Sequence, residues 1–223
     1  MTTLTRRQVA QLIDHTLLDP RARPDDVRAL VAEAEELGVY AVCVNSALAP
    51  VAKRALGAAS PVKLAATVGF PLGAMEPAAK AAEARVAREV GADELDVVMA
   101  QGWFRAGNDR YVLEDLQGVV AAAGGLPVKV ILETGWLSQA QATRAARLAQ
   151  AAGAAMVKTS TGFNAPGASP EAVAWLAAAV APHLGVKASG GIRTPEALLA
   201  MLAAGATRIG MSTTRTVLAS WPA

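Results

Sequence analysis

Along the chain, apolar positions recur at two alternating periods, a helical one that ends at a glycine and a short continuous run that follows it. Between Pro24 and Gly38, for example, Val27, Leu30, Val31, Ala34 and Leu37 mark one helix face, and VYAVCVN comes directly after. The same unit returns in GADELDVVM, GGLPVKVILET, GAAMVKTSTG, GVKASGG and GATRIGMS; KLAATVGF, from Lys63, and IDHTLL, from Ile13, bring the strand candidates to eight. Helix starts are signalled at Glu76-Pro77, Ser138, Ser169-Pro170-Glu171 and Thr194-Pro195-Glu196. Runs that are apolar on both parities suit parallel strands buried on both faces. Eight of them alternating with helices predict an α/β fold, a closed (β/α)8 TIM barrel forming a single domain over 1–223 with a short N-terminal helix. An open doubly wound sheet is the alternative, but no G-x-G-x-x-G follows the first strand and no phosphate-loop lysine motif occurs.

Composition narrows the function classes. The net charge is +2, from 21 basic and 19 acidic residues, and no basic stripe is interleaved with aromatics. That balance offers nothing to nucleic acid or to an anionic membrane. One cysteine, Cys43, excludes an internal disulfide, and with only His15 and His183 beside it no metal and no cofactor are expected. No apolar run reaches membrane-spanning length and the opening MTTLTRRQVAQLIDH lacks a leader pattern, so a cytoplasmic protein is expected.

Candidate chemistry comes from charges inside apolar strands. Lys158, in MVKTSTGF, is one of six lysines, and an ammonium in such a run needs a partner or a function. Strand parity puts Lys158 with Ser160, Asp96 with Glu94 and Val98, and Lys187 with Ser189. Charges are tolerated only toward the lumen, so Asp96, Lys158 and Lys187 are expected to converge near the C-terminal strand ends, where barrel active sites assemble. Lys63 and Lys129 also follow a valine, but several strand residues come after them, and their amines are expected to be solvated at the opposite end. Two lysines and a carboxylate without a metal point to imine chemistry: burial and a second ammonium favour the neutral, nucleophilic amine, and the carboxylate moves protons.

Two glycine-rich turns, Gly190-Gly191-Ile192-Arg193 and Ile209-Gly210-Met211-Ser212-Thr213, each precede a helix start and fall after the seventh and eighth strands, the usual place for a phosphate in such barrels. Asp14 and Thr16 either line the mouth or cap a helix. Cys43 reads as a small core residue, His15 belongs to no triad, and Glu133 is either lumenal or a loop anchor. Other Schiff-base barrels, transaldolase-like or ketose-phosphate aldolases, and a sugar-phosphate-binding barrel without catalysis remain as competing readings.

Taken in order, IDHTLL, CVN, VGFPLG, ELDVVM, LET, VKTSTGF, VKASGGIR and IGMS resemble the deoxyribose-phosphate aldolase family over nearly the whole chain. The resemblance implies a class I aldolase, reversibly cleaving 2-deoxy-D-ribose 5-phosphate to D-glyceraldehyde 3-phosphate and acetaldehyde in deoxyribonucleotide catabolism. It implies Lys158 as the Schiff-base lysine, Lys187 as the group that perturbs it and Asp96 as the proton relay. Asp14, Thr16, Cys43 and Thr161 are implied to line the substrate pocket, and Gly190, Gly191, Gly210 and Ser212 to bind phosphate. Thr213 stands where a serine donor is more usual, and Trp221-Pro222-Ala223 lacks the tail tyrosine of some members. A homo-oligomer, dimer or tetramer, is also implied.

Overall fold

The computed structural model describes residues 4–221. Eight parallel strands close on themselves in sequence order: β1 (Ile13–Leu17), β2 (Ala41–Val44), β3 (Lys63–Val68), β4 (Glu94–Val98), β5 (Val128–Ile131), β6 (Met156–Lys158), β7 (Gly185–Ser189) and β8 (Arg208–Met211). The helices are α1 (Arg6–Ala10), α2 (Pro24–Leu37), α3 (Ala49–Leu56), α4 (Pro77–Val90), α5 (Gln101–Arg105), α6 (Asp109–Ala123), α7 (Gln139–Ala151), α8 (Pro170–Val180), α9 (Pro195–Ala203) and α10 (Thr214–Ala219). This is the (β/α)8 barrel that the alternating pattern predicts, and every strand candidate is a strand.

The local signals act as expected. Ser138, Ser169 and Thr194 each accept a hydrogen bond from the first turn of their helix, at Gln141 N, Ala172 N and Ala197 N. Gly38 and Gly91 stop α2 and α4 in the left-handed conformation, with φ of 64° and 96°. Helix α1 sits at the N-terminal end of the barrel, where its Ala10 carbonyl accepts from Tyr40 N just ahead of β2.

Alternation along the strands separates two interiors. Val42, Leu64, Leu95, Val97, Val130, Val157, Val186 and Ile209 point outward and join the main hydrophobic cluster beneath the helices. The opposite parity lines the lumen, with Cys43, Asp96, Lys129, Lys158 and Lys187 all buried. Lumens of this fold are usually packed with branched apolar side chains. Here much of the space is ionic, and small residues such as Ala65 and Gly210 leave room for it.

Candidate active site

Strand register brings the charges together. Asp96 on β4 is level with Lys129 on β5, and Lys158 on β6 is level with Lys187 on β7, which is in turn level with Arg208 on β8. Asp96 is the hub: its Oδ2 accepts from Lys158 Nζ at 2.7 Å and from Lys187 Nζ at 2.7 Å, while its Oδ1 accepts from Lys129 Nζ at 2.9 Å. Lys187 Nζ also donates to Asp14 Oδ2, and Arg208 Nη1 reaches Asp14 Oδ1 at 2.8 Å. Glu94 closes the ring beneath, 2.6 Å from Lys129 Nζ and 3.2 Å from Arg208 Nη1.

Lys129 thus corrects one expectation. Lys63 is solvated, as its place at the start of β3 suggests, but Lys129 is fully buried and touches Asp14, Glu94 and Asp96. Its side chain shares the lumenal parity of Ile131, and the register with Asp96 sets its height. Arg208 and Glu94 extend the same network; parity marks Glu94, whereas Arg208, at the first position of β8, was passed over although a charge there carries the same signal.

Electrostatics follow from this wiring. Burial would raise the Asp96 carboxyl, but Lys129, Lys158 and Lys187 overrule it and hold Asp96 well below the usual carboxylate range. Asp14 is held low in the same way, against burial, by Lys187, Lys129 and Arg208. Burial pulls Lys187 and Lys129 down, yet their carboxylate neighbours win and keep both above the ordinary lysine value. Cys43 is pushed up by burial and by Asp96, 4.0 Å away, so it is a neutral thiol rather than a nucleophile.

Above the hub opens a cavity of about 540 Å³ at the C-terminal strand ends. Of the lumenal lysines only Lys158 lines it, together with Thr16, Thr161, Gly190, Gly191, Gly210 and Ser212. Asp14, Cys43, Asp96 and Lys187 lie beneath its floor rather than on its wall. Gly210 is where it is because of Lys187: a Cβ there would come within 3.0 Å of the lysine Cε and of Ser189 Cβ. Thr213 does not line the cavity, and its hydroxyl donates to the Ile192 carbonyl at 3.4 Å.

The hydroxyls after Lys158 brace the mouth. Thr159 Oγ1 donates to Ser189 O and accepts from Ser189 N, which ties β6 to β7 beside both lysines. Thr161 donates to Glu133 Oε2 at 2.6 Å, so Glu133 is a loop anchor. His15 points away from the lumen, to Thr214 Oγ1 at 2.9 Å. Of Trp221-Pro222-Ala223, the last two lie outside the described residues.

Residues 8–220 match the family model described as DeoC/LacD family aldolase. The chain belongs to this family. Among its relatives is the deoxyribose-phosphate aldolase of Mycobacterium tuberculosis, 51% identical over 219 residues that cover 96% of each chain. The deoxyribose-phosphate aldolase of Coprothermobacter proteolyticus is 50% identical over 202 residues, 91% of this chain and 92% of that one. Of solved structures, the deoxyribose phosphate aldolase of Aeropyrum pernix, described as a tetramer, superposes with a TM-score of 0.88 at 36% identity, over 97% of this chain and 92% of its own. The lysine-carboxylate hub below the cavity sets an amine that can add to a carbonyl beside a carboxylate that can accept a proton.

Proposed function

We propose that this aldolase reversibly cleaves 2-deoxy-D-ribose 5-phosphate to D-glyceraldehyde 3-phosphate and acetaldehyde through an imine on Lys158. Relatives named deoxyribose-phosphate aldolase at about half identity over most of the chain support the substrate. The observation that carries the chemistry is that Lys158 alone among the lumenal lysines lines the cavity while its Nζ contacts Asp96 at 2.7 Å.

In this reading the neutral Lys158 amine attacks the C1 aldehyde of the open-chain sugar, and Asp96, through its hydrogen bond, assists loss of water from the carbinolamine. The resulting iminium draws the electrons of the C2–C3 bond as the C3 hydroxyl gives up its proton, by way of water, to Asp96. Glyceraldehyde 3-phosphate leaves, and an enamine stays on Lys158. The enamine carbon then takes a proton, by way of Asp96 and water, and hydrolysis releases acetaldehyde and regenerates the amine. The lumen supports this cycle by holding Asp96 between Lys129 on Oδ1 and Lys187 on Oδ2, directly beside the Lys158 amine.

Phosphate is assigned to the turns at Gly190-Gly191 and Gly210-Ser212, whose residues line the cavity. A cytoplasmic homo-oligomer, dimer or tetramer, completes the reading; the tetrameric Aeropyrum pernix relative supports self-association.

Incubation with acetaldehyde, borohydride reduction and peptide mapping test the imine. The expected adduct is on Lys158. An adduct on Lys187 or Lys129 would reassign the nucleophile, and no lysine adduct at all would end the imine mechanism.

A further inference from the structure

The charged residues on the cavity wall are Asp19, Arg21, Lys158 and Arg193, so Asp19 is the one acid there among the described residues. A carboxylate beside a site for a phosphate dianion is repulsive unless its charge is engaged elsewhere. It is engaged by Arg21. Asp19 Oδ1 accepts from Arg21 N at 2.8 Å and from Nε at 3.1 Å, and Oδ2 accepts from Nη2 at 2.9 Å. These bonds push Asp19 down to about 2, so the pair is ionised at any working pH.

The pair also stands between two spaces. Asp19 and Arg21 line the cavity over Lys158 and, equally, a neighbouring cavity of about 630 Å³ against α2. The Arg21 side chain is 88% exposed, and Asp19 is its ion-pair partner. An exposed pair of this kind is weak and easily exchanged, and the guanidinium fork fits a phosphate as well as a carboxylate. The phosphate turns offer backbone N–H groups from their glycines and Ser212, with Arg193 as their one full positive charge, and Arg21 adds a second from the loop after β1.

We infer that Arg21 clamps the phosphate of the substrate and that Asp19 is its internal competitor, holding the guanidinium until a phosphate displaces it. This rests on the sugar-phosphate reading above. Arg21 is the binding residue and Asp19 a positioning residue that acts through it, so the pair sets preference for phosphorylated sugars.

Steady-state kinetics on R21A, D19N and the double variant, with 2-deoxyribose 5-phosphate and 2-deoxyribose, separate these roles. For R21A, KM for the phosphorylated sugar should rise about 5- to 10-fold with kcat little changed, and the preference over 2-deoxyribose should fall by the same factor. D19N should lower that KM, and its effect should vanish when Arg21 is already gone. R21A within twofold of the parent would overturn the clamp. A D19N effect that persists in the R21A background would overturn the competition and leave Asp19 as a bare repulsive charge. Calorimetric titration of the same proteins with inorganic phosphate reads the clamp without C–C cleavage: weaker binding to R21A upholds it even if the aldol reading fails, and unchanged binding overturns it.

Discussion

Replacing Lys129 with methionine tests whether the lumen is ionised as its contacts indicate. The stem volume is nearly kept and the ammonium is lost. Asp96 Oδ1 is then left without a donor, because Lys158 and Lys187 both sit on Oδ2. Glu94 keeps Arg208 at 3.2 Å, and Asp14 keeps Lys187 and Arg208. Breaking a fully buried pair costs about 3–5 kcal/mol, and these surviving contacts put the loss near the lower figure. At roughly 2–4 °C per kcal/mol for a chain of this size, K129M should melt about 6–12 °C below the parent. Lys158→Met is the control: Asp96 keeps Lys129 on one oxygen and Lys187 on the other, so no carboxylate oxygen is orphaned. Its melting point should fall by no more than about 3 °C while turnover disappears. Thermal unfolding followed by circular dichroism at neutral pH reads both. The reasoning fails if K129M melts with the parent, or if K158M falls as far as K129M.

The same wiring predicts the pH range of the fold. Asp14 and Asp96 are held below their unfolded value of about 3.9, so their stabilisation is present above that pH and lost as pH falls through their folded values. Lys129 and Lys187 are held above about 10.4, so theirs is complete below that pH and lost as pH rises through the folded values; melting temperature against pH should show a plateau with both edges. Between α4 and α6, buried Lys80 donates to Asp115 at 2.7 Å and to the Val98 carbonyl at 3.0 Å, so Lys80→Met alone should cost about 3 kcal/mol in urea unfolding and Asp115→Leu added to it should recover much of that. Gly210→Ala should keep the fold but displace Lys187 from Asp96 and lower kcat about tenfold or more, measured in the cleavage direction. Activity is expected to survive incubation with a chelator; its loss would point to a metal-dependent aldolase.

The barrel was legible because its code is local. Glycine stops, serine and threonine caps and β-branched runs each specify one element, and their alternation leaves little choice of topology. Parity assigned Asp96, Lys158 and Lys187 to one interior correctly, since a charge facing the helices would sit in the cluster formed by Leu95, Val157 and Val186. Height was not legible. The apolar run after Lys129 is longer in the sequence than the one after Lys187, yet β5 and β7 both end two residues past the lysine, and register sets Lys129 level with Asp96. Counting residues to the next loop measures distance along a tilted strand, not depth in the lumen. The Lys80–Asp115 pair gave no signal at all: each is one polar position on its own helix, and the partners are separated by 35 residues. Thr213 was ambiguous for the opposite reason, because the turn's dihedrals decide which way its hydroxyl faces.

Three lysines on one carboxylate raise the question of which is the nucleophile, and the wiring supports the proposal of Lys158 independently of the relatives. Lys129 contacts Asp14, Glu94 and Asp96, Lys187 contacts Asp14 and Asp96, and Lys158 contacts Asp96 alone. Taking the proton from Lys129 would weaken the pairing of three buried anions, and from Lys187 that of two, at a cost that grows with each. Taking it from Lys158 affects only Asp96, which keeps a donor on each oxygen. The lysine with the fewest buried anionic partners is therefore also the one on the cavity wall. Lys129 and Lys187 hold Asp96 as a charged, oriented acceptor beside it, so a misplaced Lys129 should damage catalysis through Asp96 even though its amine never meets the substrate.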